Sequence, residues 1–264
     1  MKHVSKVRID SGFGLVEALS VARGDVVSLV GAGGKTTVLY ALATELRRRG
    51  LSVVATSTTH MQLPEMTTTA PPLVVVGEED NWLTTVKARI ARYGSVIVIQ
   101  DRRREDKLRG VEPVMLDPLR SLADCVVVEA DGARGRSFKA PASHEPVIPD
   151  ETTLTVILVG LDVLDQPLDA EHVHRLEVVT SLSGAAPGME VNDEIVADAV
   201  VKGYLPKLPK GSRHAVFLNK AVDYRLRAAE RLGEKLLGRG VSEVVFGEAR
   251  KPNECFYRMR LSGE

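Results

Sequence analysis

The stretch that most restricts what this chain can become runs from Val26 to Gly50. Val26-Val27-Ser28-Leu29-Val30 leads into Gly31-Ala32-Gly33-Gly34-Lys35-Thr36-Thr37, and Leu39, Leu42 and Leu46 then recur at helical spacing as far as Gly50. A strand, a glycine turn and a helix in that order make an anion cradle. Glycine lets the backbone turn tightly, so that successive N–H groups point inward at phosphate oxygens. The helix adds the positive end of its dipole. On this reading the amides of Gly31, Ala32, Gly33, Gly34, Lys35, Thr36 and Thr37 hold the phosphates of ATP or GTP. Lys35 bridges the outer phosphates and the Thr36 hydroxyl coordinates magnesium. A flexible strand–helix turn with a surface lysine is the bland alternative, and the ordered succession of features argues against it.

The rest of the chain repeats the strand signal. Short Val/Ile/Leu runs occur at 26–30, 52–55, 73–76, 96–99, 126–128, 155–159, 215–218 and 243–246. Runs without polar alternation are what a sheet covered on both faces produces. Helical stripes lie between several of them, at 36–49 and again at Leu226, Ala229, Leu232, Leu236 and Leu237. Alternating strands and helices predict an α/β fold of the P-loop NTPase kind, a mainly parallel, doubly wound sheet with helices on both faces. The expected organisation is a single domain over 1–264, with 150–160 the place where a subdivision would fall. Segments 60–72 and 132–153, rich in Pro, Thr, Gly and charge, read as loops.

Cys125-Val126-Val127-Val128-Glu129-Ala130-Asp131-Gly132 is an apolar run ending in two carboxylates. In a parallel sheet the ligand site lies at the carboxyl ends of the strands. Glu129 and Asp131, two residues apart, project to one face of an extended strand. Both are candidates to hold magnesium with Thr36, or to orient an attacking water. Lys35, Glu129 and Asp131 are the candidate catalytic residues. After them come Arg134, Arg136 and Lys139, cations suited either to charge developing in phosphoryl transfer or to an anionic second ligand. Thr58 and Thr59 leave the second strand with His60, where hydroxyls would reach a γ-phosphate, a water or magnesium. Asn219-Lys220, with Asp223, resembles the base-reading Asn-Lys-x-Asp motif of GTP-binding proteins, one residue too long. His172 and His174 are set aside as a metal pair, because helical spacing would separate them.

Composition excludes several classes. Thirty-five basic residues balance thirty-five acidic ones, which gives no attraction to nucleic acid or to an anionic membrane. No apolar stretch approaches the roughly 18 residues that span a bilayer. Cys125 and Cys255 form no Cys-x-x-Cys pair, which fits a reducing cytoplasm.

The short loop form, Gly31-Ala-Gly-Gly34-Lys-Thr-Thr, resembles that of Mur-type ATP-dependent ligases; the full P-loop pattern would need glycine where Leu29 stands. It also resembles MinD-like ATPases, although their signature lysine would fall at Val30. Taken together, Gly31 to Thr37, Thr56-Ser-Thr-Thr-His-Met61, Val128-Glu-Ala-Asp-Gly-Ala133 with Arg134 to Lys139, Glu145-Pro-Val-Ile-Pro149, Gly160-Leu-Asp162, Val173-His-Arg175 and Leu218-Asn-Lys220 resemble the YqeC family. That family is described as accessory proteins of selenium-dependent molybdenum hydroxylases. The resemblance implies a cytoplasmic, nucleotide-dependent role in maturing the hydroxylase or its molybdopterin cofactor. Two further readings stand beside an NTPase. One is a small-molecule kinase or ligase with a Mur-like loop; the other is a non-catalytic carrier of a molybdopterin nucleotide. Likeness to P-loop proteins also allows a homodimer.

Overall fold

Each apolar run becomes a strand because helices or loops cover it on both faces, and burial on both sides removes the need for polar alternation. The computed structural model describes residues 3–10, 14–62, 71–104, 107–251 and 255–262. Its main sheet contains β1 (Val4–Ile9), β2 (Val26–Gly31), β3 (Val53–Ser57), β4 (Leu73–Val75) and β5 (Ser95–Ile99). The later strands are β6 (Cys125–Glu129), β7 (Leu154–Gly160), β8 (Arg213–Asn219), β9 (Val244–Gly247) and β10 (Phe256–Leu261). Their order across the sheet is β1-β10-β9-β8-β7-β2-β6-β3-β5-β4. The run from β9 to β4 is parallel throughout, and β10 is antiparallel to β9 and β1. All eight runs read from the sequence are strands, and the edge pair β1 and β10 is additional.

Consecutive residues of β2 face opposite layers. Val27 and Leu29 pack with α1 (Gly14–Ala18) and α2 (Lys35–Arg48). On the other face, Val26 packs with α3 (Trp82–Tyr93) and α4 (Leu116–Arg120). Val30 packs with α5 (Leu176–Ser183), α6 (Asp193–Gly203) and α7 (Leu226–Gly238) on that same side. The fold is therefore doubly wound. The chain leaves β2 for β3 on one side and later returns to set β7 on the other, which opens a crevice beyond the carboxyl ends of these strands.

α2 buries Val38, Leu39, Leu42, Ala43 and Leu46 and ends at Gly50, whose φ of 77° permits the closing turn. Two small sheets flank the crevice. His60–Gln62 pairs with Lys107–Arg109, which pairs in turn with Asp101–Arg104. Phe138–Lys139 pairs with Val173–His174 inside the segment read as a loop. The helix expected around His172 and His174 is absent, because these residues form a turn and this short strand. Of the 60–72 segment, 63–70 lies outside the described residues. No helix among the described residues is long and apolar enough to cross a membrane.

Candidate functional site

The glycine turn sits at the crevice because β2 ends there, and its neighbours dictate its composition. A Cβ on Gly33, whose φ is 98°, would lie 2.2 Å from the Gly160 nitrogen. The early amides of the turn are bonded inward: Gly31 to Asp131 Oδ2 at 3.0 Å, Ala32 to the Leu158 carbonyl at 2.9 Å, and Gly33 to the Arg136 carbonyl at 3.1 Å. The next amides, of Gly34, Lys35, Thr36 and Thr37, donate to no acceptor among the described residues. They are the first-turn N–H groups of α2, so the anion cradle is narrower than the sequence suggests. It begins at Gly34.

The two carboxylates after β6 both approach Lys35 but serve different ends. Asp131 is fully buried. Its oxygens accept from Gly31, lie 3.0 Å from Lys35 Nζ and 3.2 Å from Lys139 Nζ, and take a 3.3 Å bond from the Tyr204 hydroxyl. With those partners it braces the turn from behind and does not line the cleft. The carboxylate expected to hold magnesium or water is thus set behind the turn, its Oδ1 without a hydrogen-bond partner among the described residues. Glu129 does line the cleft. It accepts from Thr36 Oγ1 at 3.0 Å and stands 3.9 Å from Lys35 Nζ. Burial raises its pKa above the ordinary carboxylate value, Lys35 and Thr36 work against that, and Asp131 adds to it. The Tyr40 hydroxyl, buried without a partner among the described residues, is raised by burial and then by Glu129. Thr36 and Glu129 thus offer hard oxygen ligands beside free amides, a donor set that fits magnesium shared with waters and phosphate oxygens.

Lys35 is 3% exposed, and its Nζ donates to the Gly31 carbonyl at 2.6 Å. An ammonium has three donors. The Gly31 carbonyl takes one, and Asp131 Oδ1 is close enough for an ion pair without a hydrogen bond, so donors remain for a ligand in the cleft.

A roof formed by residues 132–139 crosses the turn. Gly33 N–H is bonded to Arg136, and Gly160 N–H to the Ser137 carbonyl at 2.8 Å. The roof is anchored by Lys139, which is almost wholly buried and donates to the Gly132 carbonyl at 2.7 Å and to Glu145 at 2.9 Å. Arg175 holds Glu145 with a two-pronged fork at 2.9 and 3.1 Å. On the other flank, Asn219 Nδ2 donates to the Gly33 carbonyl at 2.7 Å, and its Oδ1 accepts from Ala249 N–H at 3.0 Å. Lys220 is tied to Ser137 and Asp162 at 2.8 and 2.7 Å.

These elements enclose a cleft of about 1190 Å³. Of the residues expected from the sequence, Gly33, Gly34, Lys35, Thr36, Thr37, Thr59, Glu129, Arg134, Asn219 and Lys220 line it. Gly31 and Ala32 lie behind it. Thr58 spends its hydroxyl on the Val147 carbonyl at 2.7 Å, and Lys139 is sealed in the roof, so neither faces a ligand. Asp223 begins a short 3-10 turn, exposed and outside the cleft. Tyr204, and Glu248 and Arg250 in the wall, carry no signal in the sequence, because each comes from a distant element with no local pattern. A separate depression of about 290 Å³, at the amino ends of β2 and β6, is remote from the turn.

Free amides at a positive helix end, beside a lysine and a hydroxyl, suit this wall to phosphates and give the turn the form of a P-loop. Residues 27–177 match the family described as YqeC protein. The uncharacterized protein YqeC of Escherichia coli (strain K12) is 31% identical over 202 residues, which are 75% of this chain and 77% of that one. The chain belongs to the YqeC family. Among solved structures, the cell division protein FtsY of Thermotoga maritima is 17% identical, with a TM-score of 0.37 over 90% of this chain and 66% of that one. The signal recognition particle receptor FtsY of Elizabethkingia anophelis is 14% identical, with a TM-score of 0.30 over 87% of this chain and 52% of that one. This chain thus spans less than two thirds of either.

Proposed function

We propose that this protein is a magnesium-dependent nucleoside triphosphatase that serves the maturation of a molybdenum hydroxylase or of its molybdopterin cofactor. The observation that carries the catalytic half is Glu129, placed by β6 against Thr36 and Lys35 beside four unbonded amides. Those amides and Lys35 bind the β- and γ-phosphates. Bound at Thr36 and Glu129, magnesium would neutralise phosphate charge. Glu129, fixed by Thr36 and beside Lys35, orients the attacking water. With Asp131 turned inward, one carboxylate serves both metal and water, so intrinsic turnover is slow and rises with the client present. The biological setting rests on the family resemblance.

The test is a thermal-shift titration with ATP and GTP, with and without magnesium, on wild type, Thr36→Ala and Glu129→Gln. At a hundred times the dissociation constant, a ligand stabilises by about 2.7 kcal/mol. A magnesium-dependent shift with one nucleotide, lost in Thr36→Ala, is the expected result. No shift with either nucleotide sinks the proposal. A cleft that continues past the phosphate wall favours one second reading, phosphoryl or nucleotidyl transfer to a small acceptor. It is distinguished by a modified acceptor appearing in place of free phosphate.

A further inference from the structure

The cleft is large for a nucleotide's phosphate wall alone, since pockets for small ligands run to roughly 300–1,000 Å³. Its remaining lining is basic in an organised way. Among the described residues, non-glycine positive φ angles occur at Ser20, Arg134, Asp165, Arg175 and Lys220. Arg134, Arg175 and Lys220, at 48°, 61° and 60°, all line this one cleft. Side-chain-bearing residues rarely adopt that conformation, and it concentrates where a side chain has to be aimed. Arg175 and Lys220 are aimed at Glu145 and at Asp162. Arg134 has no hydrogen-bond or ion-pair partner among the described residues, and neither does His174, which lines the same cleft. The field at His174 reveals the local balance: after burial, Lys139, Arg175 and Arg134 all push its pKa down, and Glu145 only partly opposes them. Asp131 and Glu145 together offset Lys139 and Arg175, so the positive charge left over on this flank is that of Arg134.

We propose that the flank formed by Arg134, His174 and Arg175 binds a second, anionic ligand, whose phosphate or carboxylate group lies beside the nucleotide rather than on the phosphate loop. Arg134 and His174 supply the donors that have no other partner. Arg175, fixed by Glu145, supplies the field. That the ligand is the acceptor of a transferred group rests on the nucleotide reading above; that the flank holds an anion does not.

The experiment is calorimetric titration of the full chain with phenyl phosphate and with succinate, alone and after saturation with a non-hydrolysable ATP or GTP analogue and magnesium. The expected result is binding of one probe that persists in the presence of the nucleotide. The better probe identifies phosphate or carboxylate as the recognised group. Arg134→Ala and His174→Gln should each weaken that probe at least tenfold. Arg134 is exposed and His174 only part-buried, so these variants should fold, and circular dichroism verifies it. Thr36→Ala, which disables the nucleotide wall, should keep probe binding within threefold. If the nucleotide fails to bind while the probe binds and responds to both variants, the flank site stands and the nucleotide reading falls. Displacement of the probe by nucleotide, indifference to both variants, or no binding of either probe overturns the proposal.

Discussion

Glu129 is buried with its charge only partly offset, and that has a measurable thermodynamic sign. Because burial raises its pKa in the folded state, its contribution to stability is present below the ordinary carboxylate pKa and is lost as pH rises through the raised value. Glu129→Gln is therefore expected to stabilise the protein at neutral pH by about 1 kcal/mol. It should also lower turnover on the order of 10²–10³-fold. Calorimetric scans from pH 5 to 8 should show the gain in Tm growing with pH; a loss at pH 8 would mean that Lys35 more than offsets the burial. Tyr204→Phe removes one hydrogen bond from Asp131 but leaves its other partners. It should cost about 1 kcal/mol in urea unfolding and leave nucleotide affinity unchanged. At this scale the sequence was legible where the chemistry is local: strand, glycines, lysine and threonine are contiguous. The inward turn of Asp131 was not. It is decided by Lys139 and Tyr204, 8 and 73 residues further on.

The central strands could be read because each is apolar on both faces, and α2 and α7 because their stripes repeat. β1 and β10 escaped for the opposite reason. β1 is the edge strand and β10 the strand beside it; both are part exposed and studded with Lys6, Arg8, Arg258 and Arg260, and on β1 such charges keep the edge from pairing with another chain. The roof over the phosphate loop was equally hidden, because residues 132–139 have loop composition and their order comes from contacts made far away. Those contacts depend on Gly160 at the end of β7. A Cβ there would lie 3.0 Å from the Ser137 Cβ, 3.1 Å from the Gly33 Cα and 2.8 Å from Asp162 Oδ1. Its φ of −83° suits any residue, so Gly160→Ala strains the packing and not the backbone. The expected outcome is a folded protein in which the roof and the turn are pushed apart. Nucleotide affinity should fall about tenfold, while far-ultraviolet circular dichroism is unchanged. Full affinity in that variant would show that the roof does not set the shape of the turn.

Across the whole molecule, Lys35, Asp131, Lys139, Glu145 and Arg175 form one alternating chain of charge, from the phosphate loop through the roof to the residue that precedes α5. It joins the two flanks of the cleft, and Glu145 is its most exposed carboxylate. Burial pushes the Glu145 carboxyl up, but hydrogen bonds from Arg175 and Lys139 outweigh that and bring it down to about 2. A depressed folded pKa means that the stabilisation is complete above the unfolded value near 4.5 and is lost as pH falls toward 2. Glu145→Gln keeps the shape of the side chain and removes its charge. Two cations are then left facing each other at neutral pH, Lys139 and Arg175, the second of them still partly solvated. We expect a loss of about 2 kcal/mol at pH 7, in the range for hydrogen bonds to charged groups. Thermal melts of both proteins between pH 7 and pH 2 should show that deficit shrinking below pH 4.5, because the wild type is then losing the same charge. A deficit that stays constant down to pH 2 would show that the shape of the Glu145 side chain, and not its charge, holds the flanks together.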